Sequence, residues 1–239
     1  MPKGTNKSVG NAILLSKKFF ALDQIMDVKT TSGEIAGRGL FVRIRAGRID
    51  YSIICAYFPP GRHSSGAERN VYLRQVAALN KWIFQTLNAT PARSTPLIFT
   101  DLNDDGGLTK CENGDFTPTA LIEEDNTVGM VAACREGEAF RAFRCSLRRL
   151  GLCLANTHFP AGDTFVGHKA TSRFDFIAIP VGLLANVTQC ATLKKLASKL
   201  QLINCHGLRD HIPLMCKLTQ AFMFDGEKAK AMYNWDREK

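Results

Sequence analysis

Three short apolar runs in this chain meet acidic or imidazole side chains where they end, break or begin. Leu97-Ile98-Phe99 runs into Thr100-Asp101-Leu102-Asn103. Phe174-Asp175-Phe176-Ile177 is interrupted by its own carboxylate. Arg209-Asp210-His211 opens Ile212-Pro213-Leu214. Runs this short are strand length, not helix length, so the chain must build sheets whose strand ends carry the polar groups. Loops at one rim of such sheets then gather a site.

Between the strand-like runs lies at least one helix. Val71, Val76, Leu79, Ile83 and Leu87 recur at helical spacing, which predicts a helix over residues 70–87. Residues 38–45 alternate as a half-buried strand. Residues 50–57 are rich in β-branched side chains, and Pro59-Pro60-Gly61 stops them. Further strands are expected at 11–15 (buried), 96–100, 151–156, 174–179 and 211–218. Residues 140–149 fit helix or strand, and 183–200 includes a helix. Residues 104–130, full of Gly, Asp, Asn and Thr, read as a long loop with at most a short helix. Mixed strand–helix–strand order with antiparallel-style alternation gives an α/β layered fold. One domain over residues 1–218 and a tail or linker over 219–239 is the expected organisation.

The 239 residues carry 31 Lys and Arg against 22 Asp and Glu, a net charge of +9. That surplus favours polyanions, because neutralising phosphates releases condensed counterions. Arg135, Arg141, Arg144, Arg148 and Arg149 form one basic cluster, and Lys194, Lys195 and Lys199 another. Either is a binding patch or simply a solvated face. None of the eight cysteines forms a C-x-x-C pair, and Cys205-His206 has no second ligand pair. Reduced thiols in an intracellular protein, nucleus or cytoplasm unresolved, are expected rather than zinc. Residues 176–193 are uncharged, but Pro180, Gly182 and Asn186 make them a strand, a turn and a second element instead of a membrane span.

The polar groups supply what metal-assisted phosphodiester hydrolysis needs: a metal ligand, a water-orienting acid and an imidazole with a carboxylate partner. Asp101 and Asn103 also suit a plain turn. Asp175, inside an apolar run, needs a buried partner, and His211 and Arg173 are the two candidates. Tyr57 ends its strand as a phosphate-contacting hydroxyl or as a rim aromatic.

The segments Gly10-Asn11-Ala12-Ile13-Leu14, Ala56-Tyr57-Phe58-Pro59, Phe99-Thr100-Asp101-Leu102-Asn103, Ser172-Arg173-Phe174-Asp175-Phe176-Ile177 and Arg209-Asp210-His211-Ile212-Pro213 occur in that order. Together they resemble the endonuclease/exonuclease/phosphatase superfamily, which includes abasic-site endonucleases and DNase I-like nucleases. Asn156-Thr157-His158-Phe159-Pro160, Thr164-Phe165 and Trp235-Asp236 look most like the endonuclease domains of non-LTR retrotransposons. The resemblance implies a four-layer α/β sandwich (DNase I-like), Mg²⁺ (or Mn²⁺) as cofactor, and nucleic acid, most simply DNA, as partner. It implies that Asp101 positions or activates water and that Asn103 and Tyr57 hold the phosphate. It further implies that Asp210 binds metal and that His211, oriented by Asp175, stabilises charge or moves a proton.

The chain departs from the family pattern in three ways. An Asn-bearing strand and a metal-binding Glu ordinarily lie upstream of the Gly10 segment, yet only nine residues precede it and none is acidic. Thr100 stands where Gly is usual, and Phe165 and Phe174 replace Trp and Ile. The expectation is an N-terminally truncated domain, with Met1 an internal methionine, an apolar face left open and sequence continuing past the tail. The competing readings are a degenerate fragment that at most binds nucleic acid, and a phosphatase of the same superfamily acting on another phosphoester.

Overall fold

In the computed structural model the described residues are 10–61, 65–110, 115–122, 126–131, 134–168, 170–200, 207 and 210–219. Met1, Cys205, His206, Arg209, Trp235, Asp236 and nearly all of the expected tail lie outside them.

The chain opens with a β-meander: β1 (Ile25–Thr30), β2 (Gly39–Ala46) and β3 (Ile49–Tyr57), paired antiparallel. Helix α1 (Gly66–Asn88) then crosses over to β4 (Thr95–Asp101), which lies parallel to β3. Ser65 starts α1 by accepting the Glu68 N–H, as an N-cap should. Tyr72, Val76, Leu79, Ile83 and Leu87 form its buried stripe.

Where a long loop was expected, the chain makes β5 (Gly107–Lys110), β6 (Phe116–Pro118) and the single turn α2 (Thr119–Ile122). β7 (Cys134–Arg135) joins β5 and β6 in a small sheet. Next come α3 (Glu138–Arg149), β8 (Leu152–Leu154) and α4 (Ala155–His158). The strand expected over 151–156 therefore stops at Leu154, and its last residues turn helical. Residues 140–149 are helix. β9 (Phe165–Val166), β10 (Thr171–Ser172), β11 (Asp175–Pro180) and β12 (Val187–Thr192) follow. The chain ends its described part with α5 (Lys194–Leu200), β13 (Asp210–His211) and β14 (Leu214–Leu218). The uncharged stretch is thus a strand, a 3-10 segment (Val181–Asn186) and a second strand. Among the described residues no helix is long and apolar enough to cross a membrane.

The main sheet has the order β1-β2-β3-β4-β11-β8. One face carries α1 and α3 over a core that includes Phe41, Ile54, Ile98, Phe140, Phe143 and Phe176. Behind β4, β11 and β8 a second core forms from Cys153, Ile177, Ile179, Val187 and Cys190, closed by the two-stranded β12–β14 sheet. A helix layer, a large sheet and a small second sheet are therefore stacked, an α/β arrangement as expected. On the second face, Val28 stays 55% exposed and Phe99 40%. The buried strand expected at 11–15 does not form. That segment is extended without a ladder partner among the described residues, and Leu14 is 94% exposed. Asn11 anchors it, donating to the Gly37 carbonyl at 2.9 Å and accepting from the Cys55 thiol at 3.3 Å.

Two buried ion pairs brace the scaffold. Arg43 forks onto Asp50 at 2.9 and 2.7 Å, and Arg93 adds a third bond. These contacts, led by the Arg43 hydrogen bond, bring the Asp50 carboxyl down to about 2. Arg144, from the basic cluster, is buried against Glu136 at 2.6 Å, with Arg141 alongside at 3.6 Å. So part of that cluster is internal structure and not a polyanion-facing patch.

Candidate functional site

Parallel pairing puts the carboxyl ends of β3 and β4 side by side, so Tyr57 lies opposite Asp101. β11 runs the other way, which brings its first residue to the same rim: Asp175 is in direct register with Asp101. The two-residue strand β13 pairs with β9 and delivers His211 opposite Phe165. Four separate stretches of chain thus converge at one end of the sheet.

His211 sits between the carboxylates. Its Nδ1 is 2.8 Å from Asp175 Oδ2, and its Nε2 is 3.6 Å from Asp101 Oδ2 and 3.9 Å from Asp210 Oδ1. The ring also meets Phe165 edge-on at 5.1 Å. Burial works to lower the His211 pKa, but the Asp175 hydrogen bond and the Asp175, Asp101 and Asp210 charges outweigh it and raise it to about 9. The imidazolium is therefore the resting form at neutral pH. Asp101 is pushed up to about 6, first by burial, with Asp175 and Asp210 adding to the rise and His211 opposing it. Arg173, the rival partner for Asp175, instead sends Nη1 to the Val131 carbonyl at 2.9 Å.

Asn103 departs from the extended geometry that its spacing from Asp101 suggests. Its φ is +50°, its N–H donates to Asp101 Oδ1 at 2.9 Å, and its side-chain amide donates to the Phe58 carbonyl. It buttresses the turn that presents Asp101. Tyr57 is stacked on the Arg38 guanidinium at 5.4 Å, and both its strand and Asp101 line a cavity of about 260 Å³. Asp175, Phe99, Ile177 and Leu214 share that lining. Asp210 has a left-handed backbone, φ +71°, and a side chain 59% exposed, so it reaches solvent at the rim.

One functional position was not legible as such in the sequence. Thr164 is fully buried, and its Oγ1 accepts from the N–H groups of both Phe174 and Asp175, at 3.0 and 2.9 Å. Its carbonyl accepts from Ile212 N–H at 2.6 Å. One threonine therefore ties the Asp175 strand to the residue after His211.

The donors fit a hard divalent cation. Asp101, Asp175 and His211 each offer a ligand atom within 4.8 Å of the others. His211, protonated and bonded to Asp175, is a poor ligand, which leaves the Asp101 and Asp175 oxygens of that group. Hard divalent cations take carboxylate oxygens and waters, which is the donor chemistry this rim offers.

The architecture is similar to that of DNA-processing enzymes. An AP endonuclease from Archaeoglobus fulgidus superposes with a TM-score of 0.53 at 18% identity, over 81% of this chain and 71% of that one. The 3′-5′ exonuclease NExo from Neisseria meningitidis superposes at 0.54 and 13%, with the same coverage. The chain shares the fold of these enzymes. The endonuclease domain of a telomere-specific non-LTR retrotransposon reaches 0.44, at 17% identity over 84% of this chain and 71% of that one. No family model matches the sequence, and no curated protein does.

Proposed function

We propose that this chain is a divalent-metal-dependent phosphodiesterase that cuts DNA. The observation that carries the reading is the line Asp175–His211–Asp101, with Asp210 beside Nε2. Asp175 holds the imidazolium through Nδ1 and leaves Nε2 aimed at the reaction space. There it stabilises charge growing on a pentacovalent phosphate or passes a proton to a leaving oxygen. Asp101, ionised above about pH 6, orients and deprotonates the attacking water. Asp210 and Asp101 would hold Mg²⁺ or Mn²⁺, which when bound neutralises phosphate charge as a Lewis acid. Tyr57 would face the phosphate from the cavity wall it shares with Asp101, while Asn103, its amide bonded to the Phe58 carbonyl, supports the Asp101 turn. The net charge of +9 supports a nucleic-acid substrate. The retrotransposon-type reading rests on the Asn156–Pro160, Thr164-Phe165 and Trp235-Asp236 segments.

The test is nicking of supercoiled plasmid by the purified chain. With Mg²⁺ the nicked circle accumulates; with EDTA it does not. DNA affinity falls steeply with added salt if phosphate contacts dominate. A folded chain that never nicks supports the second reading, a non-catalytic remnant. One observation favours that alternative: among the described residues no Glu joins the Asp101, Asp175 and His211 group.

A further inference from the structure

β8 and β11 are paired only where Leu154, Cys153 and Leu152 face Ala178, Ile179 and Pro180. Continued register would set residue 156 opposite residue 176. The chain instead turns into α4 after Leu154, so the Asp175 carbonyl and the Ile177 N–H on that edge lose their strand partner. Both groups point to the missing strand, and a buried unpaired peptide group is costly. Asn156 fills the place with its side chain. It is fully buried, its Nδ2 donates to the Asp175 carbonyl at 3.0 Å, and its Oδ1 accepts from Ile177 N–H at 3.2 Å. A primary amide carries the donor and acceptor of a peptide group, so one side chain stands in for a length of strand.

The position of that substitute matters because Asp175 is the first residue of β11. Its N–H is held by Thr164 and its carbonyl by Asn156, two side chains at the two sides of one residue. We infer that Asn156 is a positioning residue of the site: its amide fixes the Asp175 backbone, and through it the carboxylate that orients His211. For its activity arm the inference rests on the function proposed above; its main readout does not.

That readout is the ¹H and ¹⁵N NMR signature of the His211 imidazole at one fixed pH, recorded for the metal-free chain. Asn156→Ala removes both bonds. Asn156→Asp is isosteric and keeps the acceptor for Ile177 while replacing the donor to Asp175 with an oxygen. Asn80→Ala is the control: Asn80 is also buried and also donates to a backbone carbonyl, that of Val76, but within α1. Both Asn156 variants are expected to shift the Nδ1–H signal away from its hydrogen-bonded position, whereas Asn80→Ala leaves it in place even if the melting temperature falls. In the nicking assay they lower kcat by about tenfold to a hundredfold with KM little changed, the size expected for a displacement of about 1 Å. If Asn156→Ala does not fold, Asn156→Asp decides alone. An unmoved His211 signal in a folded Asn156 variant overturns the inference and makes the residue a purely structural bridge. A wild-type chain that shows the His211–Asp175 signature but never nicks overturns the proposed function and leaves this inference standing.

Discussion

Replacing His211 with alanine should lower metal-dependent nicking by roughly a thousandfold, the combined size of a lost proton donor and a lost charge stabiliser. The chain should stay folded, because the His211 side chain is 37% exposed and its strand is only two residues long. Asp175→Asn should produce a comparable loss, since an amide presents the wrong partner to Nδ1. The pH profile offers an independent check. The working form has Asp101 ionised and His211 protonated. The rate therefore climbs with pH as Asp101 ionises and falls as His211 loses its proton, groups that titrate at about 6 and about 9 in the metal-free chain. A cation bound beside these carboxylates moves both limbs to lower pH. In the alanine variant the alkaline limb should vanish while the acid limb remains. Initial rates on plasmid between pH 5 and 10 give both answers, and an alkaline limb that survives in His211→Ala would assign it to another group.

Arg144→Ala should be the most damaging surface-charge-like substitution for stability, at about 3–5 kcal/mol. Sequence position groups Arg144 with its basic neighbours, but its side chain is only 6% exposed and faces Glu136, itself 1% exposed. Removing the guanidinium leaves the buried carboxylate with longer contacts, Arg141 at 3.6 Å and the Thr119 hydroxyl at 3.5 Å. Arg141 shares the same Glu136 from a 60% exposed position, at 3.6 Å. Its alanine variant should stay within about 1 kcal/mol of wild type, as solvent-screened pairs do. Urea unfolding of the two variants separates them. A loss below about 1 kcal/mol for Arg144→Ala would mean that Arg141 and water suffice for Glu136.

Those two arginines also mark what a sequence can and cannot say. Asp101 was legible because an apolar run stops on it, and Asp175 because it breaks one. Both signals are local. Thr164 and Asn156 carried no such mark: their work is to satisfy peptide groups of β11, and that need exists only once β8 has turned away. The strands in 107–118 were hidden in a stretch rich in Gly, Asp and Thr, where the pairing of β5 with β6 and β7, rather than side-chain preference, decides the conformation. The segment at 11–15 shows the converse. Four apolar side chains in a row suggested burial, yet periodicity alone cannot tell whether a neighbour is there to receive them.

The burial of Asp101 and its direct register with Asp175 carry a cost to the fold whenever Asp101 is ionised. Like charges opposite each other weaken a ladder, and Asp101 is also largely dehydrated. Because its folded pKa is raised to about 6, the ionised residue weighs against the native state above that pH, and the penalty fades as pH falls toward 4. Asp101→Asn should accordingly melt higher than wild type at pH 8, by on the order of 2 kcal/mol, and about equally at pH 4. Under the proposed mechanism, local frustration of this kind means that thermostability and catalysis pull in opposite directions. A selection for heat resistance alone would tend to erase the site, returning chains that fold better and do nothing.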